Sequence, residues 1–458
     1  MNLNNIHNVY FIGIGGIGMS AIARYFLSKD ASVAGYDRIS TPLTSALEDE
    51  GCMIHFNDAI NEIPKSHKHN DTLVIYTPAI AEDNDELSFF RENEFLVLKR
   101  SEVLGLITQK SFTIGVAGTH GKTTTSTMIA YLLDYSNYYC DAFLGGISTN
   151  FNSNFVFSNK AKATVIEADE YDRSFLTLSP NIAVVTSTDA DHLDIYSEHD
   201  GLLTSFHDYV DKLPKEGTLV LRKGLGLSHP NTVTYSATEK ADYYAVDIRI
   251  EKGVYSFDIQ TPTQIIKNVV VGLPGLHNVE NAIATFVVGE LLSLSENQIK
   301  TGLATFKGVK RRFEYQVKTD ALVYIDDYAH HPEELKACIG SVRKMYPTKK
   351  VTGVFQPHLY TRTRDFANEF SESLSLLDEL FLLDIYPARE LPIEGVSSQM
   401  LLENITIEKK ELVTKEELIN KLNIENLEVL LTLGAGDIDT LVSPIKESLE
   451  SYSFESKV

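Results

Sequence analysis

The chain has 458 residues, of which 43% are hydrophobic and 23% are charged, and its formal net charge is −22. The length predicts two to four domains, and the composition is typical of a globular protein. The strong negative charge argues against general binding to nucleic acid or to anionic membranes. We therefore expect any anionic ligand to be met by a local cluster of cations and backbone amides.

The cysteines and the apolar segments indicate a cytoplasmic protein. Cys52, Cys140 and Cys338 are widely separated and form no CxxC pair, which predicts neither a disulfide framework nor a structural zinc site. The N-terminal segment has no basic leader followed by an apolar run, so we expect no secretion signal. The longest apolar stretch, residues 9–23, is short and rich in glycine, so we expect no membrane span.

The first hundred residues repeat a pattern of strand, glycine turn and helix. Residues 9–12 form an apolar run that enters a glycine cluster, residues 19–27 have helical spacing, and residues 32–36 are strand-like again. The pattern continues through residues 71–80. This alternation predicts a small parallel α/β domain.

A second series of strand, loop and helix begins near residue 111. It contains a predicted helix at 123–133 and predicted strands at 164–166 and 182–186. Residues 241–271 alternate with a period of two, which favours antiparallel hairpins over βαβ units.

A third α/β series starts at ALVYIDD, residues 321–327, and closes with VLLTLGAGD. It follows a helical stretch, GLHNVENAIATFVVGELL, and the segment GVKRRFE. The points at which the pattern restarts predict three domains, at residues 1–108, 109–312 and 313–458.

The first glycine-rich loop is typical of a diphosphate site. Gly13, Gly15 and Gly18 satisfy G-x-G-x-x-G between a predicted strand and a predicted helix, and Asp37 follows at the distance of a ribose-binding acid. Glycines let the backbone approach a pyrophosphate at a helix N-terminus. The pattern does not identify a nicotinamide, so a dehydrogenase and a turn that binds nothing both stay open.

The second glycine-rich loop predicts a site for a nucleoside triphosphate. The sequence GTHGKT, residues 118–123, ends in the lysine and hydroxyl that serve the β/γ-phosphates and Mg²⁺. Val116 stands in the place of the usual first glycine, so the loop is of a shorter kind. A turn without a ligand would not require a lysine and several hydroxyls at a helix start.

Two acidic clusters follow predicted strands and are candidate Mg²⁺ ligands. Carboxylate oxygens suit Mg²⁺, and the ends of parallel strands meet at one edge of a sheet. Each cluster alone would more often be a solvated loop. Two pairs of arginines would supply the missing positive charge, because their planar fork binds phosphates and carboxylates. The acidic clusters and the histidine within them are Glu167, Asp169, Glu170, Asp172, Asp189, Asp191, His192 and Asp194, and the arginines are Arg311, Arg312, Arg362 and Arg364.

The order and spacing of ten motifs resemble the Mur ligases, and most closely the branch that adds L-alanine to UDP-N-acetylmuramate. The motifs are GIGGIGMS, AGTHGKTTT, EADEYDRSFL, DADHLD, LPGLHNVENAIA, GVKRRFE, DDYAHHPEE, FQPHLYTRTRDF, YPARE with GVSS, and GAGD. The resemblance implies an α/β fold of three domains: an N-terminal Rossmann-like domain for the UDP-sugar, a central P-loop ATPase-type domain with a mostly parallel sheet and an added antiparallel part, and a C-terminal Rossmann-like domain for the amino acid.

The resemblance also implies a cytoplasmic step of peptidoglycan precursor synthesis. ATP would activate the sugar carboxylate as an acyl phosphate, and the amine of alanine would then displace phosphate. The implied cofactors are ATP and Mg²⁺, with two ions that Mn²⁺ can replace. The implied partners are UDP-N-acetylmuramate, L-alanine and ATP, with no nucleic acid or membrane, in a monomer or weak homodimer.

Site residues are carried over from the matching motifs. The UDP-sugar site is implied to contain Gly15, Gly16, Gly18, Met19, Ser20, Asp37, Thr77, Pro78 and Ala79. The ATP site is implied to contain Gly118, Thr119, His120, Gly121, Lys122, Thr123, Thr124, Asn278, Asn281, Arg312 and Asp327, with His277 in the same asparagine motif. The metal ligands would be Thr123, Glu167 and His192, the amino-acid residues Tyr328, His358 and Arg362, and the catalytic residues Lys122, His192, His330 and Arg362.

The chain departs from the family pattern at two points. Leu359 occupies a position where many relatives carry Arg, and residues 163–211 contain no lysine that could be carbamoylated near a second metal. A recycling ligase that joins a ready-made tripeptide to the same sugar shares the ATP motifs, although YPARE and FQPHLYTRTRDF favour alanine. A P-loop switch protein and an NAD-dependent oxidoreductase also stay open.

Overall fold

A computed structural model describes residue 3 and residues 6–189, 199–251, 254–388, 390–422 and 424–455. It contains sheets of five, ten and six strands, one after another along the chain. The predicted fold class, α/β with three domains, is confirmed. The first sheet and most of the second lie in one compact unit, and the third lies in a second unit that also includes residues 249–256 and 272–278. The boundaries at residues 108 and 312 stay predictions.

The N-terminal sheet is parallel throughout, with strand order β3-β2-β1-β4-β5. Its strands are β1 Asn8–Ile12, β2 Ser32–Tyr36, β3 Met53–His55, β4 Thr72–Tyr76 and β5 Leu96–Lys99. Its helices are α1 Ile17–Leu27, α2 Pro42–Asp49, α3 Asp85–Glu92 and α4 Arg100–Thr108, with short 3-10 turns at Ile60–Glu62 and Lys65–His67.

Strand β1 is buried on both faces, as expected for the middle of a parallel sheet. Val9 and Phe11 face one apolar cluster, and Tyr10 and Ile12 face another. The period of two in a strand therefore divides its four apolar side chains between the two layers. Glycine turns at the carboxyl end of β1 then lead directly into α1.

The second apolar cluster encloses a polar group formed by Tyr10, His55 and Glu86. The Tyr10 hydroxyl donates to Glu86 Oε2 at 2.6 Å and lies 2.7 Å from His55 Nε2. Glu86 Oε1 accepts from the Ala59 amide at 3.2 Å, and the Glu86 side chain is fully buried. Burial raises the pKa of Glu86 to about 7, although both hydrogen bonds act in the opposite direction.

The central sheet has the strand order β15-β14-β13-β12-β11-β10-β6-β9-β7-β8. Its strands are β6 Thr113–Ala117, β7 Cys140–Ser148, β8 Ser153–Val156, β9 Ala163–Glu167, β10 Ile182–Val185, β11 Thr218–Arg222, β12 Thr232–Ser236, β13 Tyr243–Glu251, β14 Val254–Gln260 and β15 Ile265–Val271. The helices are α5 Lys122–Tyr135, α6 His199–Val210, α7 Leu276–Leu291 and α8 Glu296–Thr305, with a 3-10 segment at Tyr171–Thr177.

Strands β7 and β8 carry the contact with the N-terminal sheet. They pair antiparallel at one edge of the central sheet, and α1 packs against both of them. Tyr25 of α1 contacts the rings of Phe143 and Phe155 at 5.6 and 6.2 Å between centroids. The sequence patterns do not predict this edge. They do predict added strands at residues 241–271, where β13, β14 and β15 follow one another in the sheet.

The C-terminal sheet has the strand order β16-β17-β21-β18-β19-β20, and only β16 is antiparallel to its neighbour. Its strands are β16 Glu314–Lys318, β17 Val323–Asp327, β18 Val351–Phe355, β19 Glu379–Leu382, β20 Lys409–Leu412 and β21 Val429–Leu433. The helices are α9 Pro332–Met345, α10 Tyr360–Asp365, α11 Ala367–Leu374, α12 Ser398–Asn404, α13 Lys415–Lys421 and α14 Val442–Glu455, with 3-10 turns at Ile424–Asn426 and Asp437–Leu441.

Apolar clusters cover both faces of the C-terminal sheet, as expected for a mostly parallel sheet. Across the described residues of the chain, we find no helix with the length and apolar character needed to cross a membrane.

The buried Glu86 carboxyl predicts an unusual dependence of stability on pH. Its pKa is higher in the folded chain, about 7, than the ordinary value of 4.5, so the folded state binds this proton more tightly. The contribution of Glu86 to the free energy of unfolding is therefore largest below pH 4.5 and falls by about 2 to 3 kcal/mol as the pH rises to 7.

Chemical denaturation of Glu86→Gln between pH 4 and 8 tests this expectation. The difference in unfolding free energy between wild type and this variant should change across that window, because the amide does not titrate. Glu92→Gln, at an exposed position in the same helix, should leave the difference constant. A constant difference for Glu86→Gln would contradict the expectation.

Candidate active site

The first glycine loop lies between β1 and α1, at the carboxyl end of the N-terminal sheet. Gly13 has φ +87°, a conformation that favours glycine, and Gly16 caps the helix. The Gly15 amide donates to Asp37 Oδ2 at 2.7 Å, so the predicted ribose-binding acid lies against the loop. Thr77 also reaches the loop, because its amide donates to Ile12 O at 3.3 Å.

Two other residues of the predicted UDP-sugar site have buried side chains. Met19 is 1% exposed and Ser20 is 0% exposed. The Ser20 hydroxyl donates to Ile17 O and accepts from Asn154 Nδ2 at 2.9 Å. These side chains hold α1 in place. Pro78 and Ala79 are exposed beside Thr77, and the ligand assignments of this loop stay predictions.

Asn154 of β8 ties the start of α1 to the central sheet. Its side chain is fully buried, its Nδ2 donates to Ile17 O at 2.5 Å, and its Oδ1 accepts from Arg24. Arg24 is also paired with Glu50 at 2.7 Å. The helix that carries the first glycine loop is therefore held by polar contacts as well as by aromatic packing.

Arg100 is a candidate ligand-binding residue that the sequence analysis missed. It is the first residue of α4, its guanidinium lies directly over Gly18, and its Nη2 lies 3.4 Å from Asp169 Oδ2. Gly18, Arg100, Glu167 and Asp169 line a cavity of about 100 Å³ within the first compact unit. The available signal in the sequence was a basic residue, which the structure places at the junction of β5 and α4.

The second glycine loop connects β6 to α5 and is fastened by the end of β10. The His120 amide donates to Ser187 Oγ at 2.7 Å, and the Thr119 amide donates to Ser187 O at 3.2 Å. The Thr186 hydroxyl donates to His120 O at 2.5 Å. Gly118 has φ +137°, and a Cβ there would collide with Thr186. The loop is thus shaped by two residues that the sequence analysis did not single out.

Lys122 begins α5 and turns back over the loop. Its Nζ donates to Gly118 O at 2.8 Å and lies 2.8 Å from both carboxylate oxygens of Glu170. Burial lowers the pKa of Lys122, but Glu170, Asp169 and Glu167 outweigh that effect and leave the pKa above its ordinary value. Lys122 is therefore a protonated cation at the N-terminus of a helix, where anions are also favoured.

Other predicted ATP residues lie around the same loop. Thr123 is 7% exposed in the first turn of α5, and Thr124 follows it. Asn281 of α7 approaches Gly121, since its Oδ1 would lie 3.0 Å from a Cβ at that glycine. In the second compact unit, Asn278 is 3% exposed and its Nδ2 donates to Pro274 O at 2.6 Å.

The predicted metal ligands are only partly described. Glu167 ends β9 and accepts from the Gly145 amide at 3.0 Å, and Thr123 lies in the first turn of α5. His192, Asp191 and Asp194 lie outside the described residues. Within the described ranges, no group of three His, Cys, Asp or Glu side chains forms a metal cluster. A carboxylate and a hydroxyl are the hard oxygen donors that suit Mg²⁺.

In the second compact unit, Asp327 ends β17 and fastens the turn that carries Arg312. Its carboxylate accepts from the amides of Phe313 at 2.7 Å and Ala329 at 2.8 Å. Burial raises the pKa of Asp327 to about 6, against the opposing effects of Arg312 and both hydrogen bonds. Asp327 thus supports the arginine in this structure, and its predicted contact with ATP stays a prediction.

Arg311 also holds this turn in place. Its Nε lies 3.2 Å from Asp326 Oδ2, which is buried, and its Nη2 donates to Gly434 O at 2.7 Å. The guanidinium groups of Arg311 and Arg312 lie 5.2 and 5.1 Å from the ring centroid of Tyr328. Both arginines therefore flank a residue predicted to bind the amino acid.

Four aromatic side chains form a row at the carboxyl ends of β17, β18 and β19. Tyr328, His330, His358 and Tyr386 have successive centroid distances of 5.3, 5.9 and 5.7 Å. Tyr386 is new to the site, and its carbonyl accepts from the Leu359 amide at 3.0 Å. The structure therefore brings together three predicted residues with a fourth that was quoted only as part of a motif.

His330 has a defined neutral form. Its Nδ1 lies 2.9 Å from Tyr328 O, and a carbonyl oxygen can only accept, so Nδ1 carries the proton. Burial, helped by Arg362, lowers the pKa of His330 to about 4 against the opposing effect of Glu334. Nε2 is consequently a proton acceptor near neutral pH. Arg362 lies in α10, which begins after Leu359, a residue with φ +71°.

Comparison with known proteins identifies the family. Three models match the chain: the Mur ligase family catalytic domain at residues 8–111, the Mur ligase middle domain at 116–289, and the Mur ligase glutamate ligase domain at 311–436. Together they cover most of the chain and leave only short segments between them.

Relatives that match this chain over nearly their whole length are named for one reaction. The UDP-N-acetylmuramate–L-alanine ligase of Flavobacterium psychrophilum is 51% identical over 98% of this chain and 100% of its own. That of Cytophaga hutchinsonii is 50% identical over 97% of each chain. A crystal structure of UDP-N-acetylmuramate-alanine ligase from Thermotoga maritima has a TM-score of 0.85 at 26% identity and covers 97% of this chain and 99% of its own. This chain belongs to the Mur ligase family.

Proposed function

We propose that this chain joins L-alanine to UDP-N-acetylmuramate with the conversion of ATP to ADP and phosphate. The observation that carries the proposal is the second glycine loop, where Lys122 is held as a cation at the start of α5. The first loop then has a separate role, at the diphosphate of the UDP-sugar. Relatives about 50% identical over nearly the whole chain are named for this reaction.

The proposed reaction has two steps. A carboxylate oxygen of the lactyl group attacks the γ-phosphorus, and the bond to the β–γ bridging oxygen breaks to release ADP. The amine nitrogen of alanine then attacks the acyl phosphate carbonyl carbon, and phosphate leaves. Enzymes accelerate phosphoryl transfer mainly by aligning the reacting groups and neutralising their charge. Lys122 and Arg312 are the cations proposed to neutralise the charge on the phosphates.

Magnesium, when bound, would neutralise charge on the phosphate oxygens. Thr123 and Glu167 would hold it, and His192, the third proposed ligand, lies outside the described residues. Two ions, replaceable by Mn²⁺, are proposed on the basis of the family resemblance. The proposed location is the cytoplasm, for a monomer or weak homodimer that uses neither nucleic acid nor membrane.

His330 is proposed to receive the proton of the amine. Its Nδ1 is committed to Tyr328 O, so Nε2 of the neutral ring is the available acceptor. Tyr328, His358 and Arg362 would orient the amino acid, with Tyr386 closing the aromatic row. A bidentate guanidinium such as that of Arg362 suits the alanine carboxylate.

Phosphate release with ATP, Mg²⁺ and UDP-N-acetylmuramate should be measured against L-alanine, glycine, L-serine and a tripeptide. We expect the highest kcat/KM for L-alanine and no sustained turnover when either the sugar or the amino acid is left out. A tripeptide rate above the alanine rate would identify a recycling ligase. Turnover without either co-substrate would favour a P-loop switch, and hydride transfer with NAD would favour an oxidoreductase.

Variants at the two glycine loops should affect different ligands. Gly15→Val places a side chain against Asp37 and Thr44, and should weaken UDP-sugar binding while ATP binding persists. Lys122→Ala should do the opposite and lower kcat by about 10²–10³-fold. Calorimetric titration of both nucleotides into each folded variant measures the difference.

Two matched replacements provide controls for the loop variants. Gly340→Val enters open space, and Lys212→Ala removes an exposed lysine. Both should bind both nucleotides as wild type does. Loss of ATP binding in Gly15→Val, or near-normal turnover in Lys122→Ala, would contradict the division of roles between the loops.

Loss of the Glu167 carboxylate should raise the Mg²⁺ requirement. We expect Glu167→Ala to need at least about ten-fold more Mg²⁺ for half-maximal turnover, because the ion loses a direct ligand. Glu216→Ala, which removes an exposed carboxylate from the same unit, should titrate as wild type does. An unchanged Mg²⁺ titration for Glu167→Ala would remove this residue from the metal site.

A further inference from the structure

The ion pair between Lys122 and Glu170 lies at the second glycine loop, and the proposed mechanism does not use it. Lys122 Nζ lies 2.8 Å from Oε1 and from Oε2 of Glu170. The Glu170 side chain is fully buried, and the Lys122 side chain is 13% exposed. Attraction between opposite charges is strong where water is excluded, so this pair holds the lysine firmly.

The same ammonium group has a second fixed partner. An ammonium carries three N–H donors, and one of them is given to Gly118 O at 2.8 Å. The carbonyl contact belongs to the loop and is compatible with a phosphate cradled above it. The contact with the Glu170 carboxylate differs, because this carboxylate and a phosphate oxygen are both anions and would compete for the same ammonium.

We infer that Glu170 is a positioning residue that holds Lys122 and competes with the phosphates of ATP for its charge. The inference rests on the proposed role of Lys122 at the β/γ-phosphates. When the nucleotide binds, a phosphate oxygen replaces the Glu170 carboxylate as the anionic partner of Lys122. The free energy needed to break the ion pair therefore reduces the net free energy of nucleotide binding. Glu170 therefore makes the affinity for the nucleotide lower than the affinity that the same loop would have without this carboxylate.

Two other roles for Glu170 make different predictions. A metal ligand would raise the Mg²⁺ requirement when it is replaced, as expected for Glu167. If the ion pair were purely structural, replacement of Glu170 would lower the thermal stability equally with and without nucleotide. Competition for Lys122 alone predicts tighter nucleotide binding when the charge is removed and the shape is kept.

Glu170→Gln is the decisive variant. Because the amide preserves the shape and removes the negative charge, we expect the Kd for Mg-ATP, measured by calorimetry, to fall about ten-fold. Glu170→Asp keeps the charge but shortens the side chain, and should give an intermediate Kd. Adenosine, which has no phosphate, should bind all three proteins equally. An unchanged or higher Kd for Mg-ATP in Glu170→Gln would overturn the inference.

Glu216→Gln is the matched control. It makes the same change of glutamate to glutamine and removes one negative charge at an exposed position of the first compact unit. The Kd for Mg-ATP should stay close to that of wild type. A fall as large as that in Glu170→Gln would mean that net charge, not the contact with Lys122, sets the affinity, and would overturn the inference.

A double variant separates this inference from the proposed function. In Lys122→Met, replacement of Glu170 by Gln should no longer tighten Mg-ATP binding, because the shared ammonium is gone. If Lys122→Met alone binds Mg-ATP as wild type does, the proposed role of Lys122 fails. If Lys122→Met weakens binding but Glu170→Gln does not tighten it, only the competition by Glu170 fails.

Thermal melting supplies an independent measurement. Glu170→Gln should melt below wild type without added nucleotide, since a buried ammonium loses its counter-ion, and saturating Mg-ATP should remove this difference in melting temperature. Equal losses under both conditions would indicate a structural pair and overturn the inference. A raised Mg²⁺ requirement, measured beside Glu167→Ala, would indicate a metal ligand and would do the same.

Discussion

Parallel pairing of β6 with β9 and β10 is the constraint on which the proposed ATP site depends. The register places Val116 beside Glu167 and Ala117 beside Val185. All three strands therefore end at one edge, so the glycine loop, the acidic segment and the Thr186–Ser187 clamp emerge together. Lys122 can reach Glu170, 48 residues away in sequence, only because this register holds. A shift of one residue would turn every buried side chain to the opposite face.

The same constraint builds the proposed amino-acid site in the second compact unit. Strand β21 pairs with both β17 and β18, and Leu433 lies opposite Asp327 and Phe355. The segments after these strands begin at one level, which places Tyr328 and His358 in one aromatic row. Open α/β sheets bind ligands at such carboxyl ends, where the backbone leaves the sheet and side chains converge.

Local sequence signals predicted the strands that enter both glycine loops, the helices that leave them, and the identity of Lys122 as the central cation. Those signals depend on a few consecutive residues. The clamp by Thr186 and Ser187, the position of Arg100 over Gly18 and the pair between Lys122 and Glu170 depend on register and on packing between sheets. Glu170 stood in an acidic run that is indistinguishable, in sequence alone, from a solvated loop. Its burial is a property of the folded chain.

Pairing of cations with carboxylates reconciles a chain of net charge −22 with anionic ligands. Lys122 is paired with Glu170 at 2.8 Å, Arg100 with Asp169 at 3.4 Å, and Arg312 with Glu334 at 3.6 Å. Each pair orients a cation within the acidic protein. An anionic ligand that binds one of these cations, as proposed for Lys122, would take the place of a protein carboxylate. The affinity of such a site is the difference between the attraction of the cation to the ligand and its attraction to the protein carboxylate. Removal of the protein carboxylate therefore measures how much that carboxylate lowers the affinity.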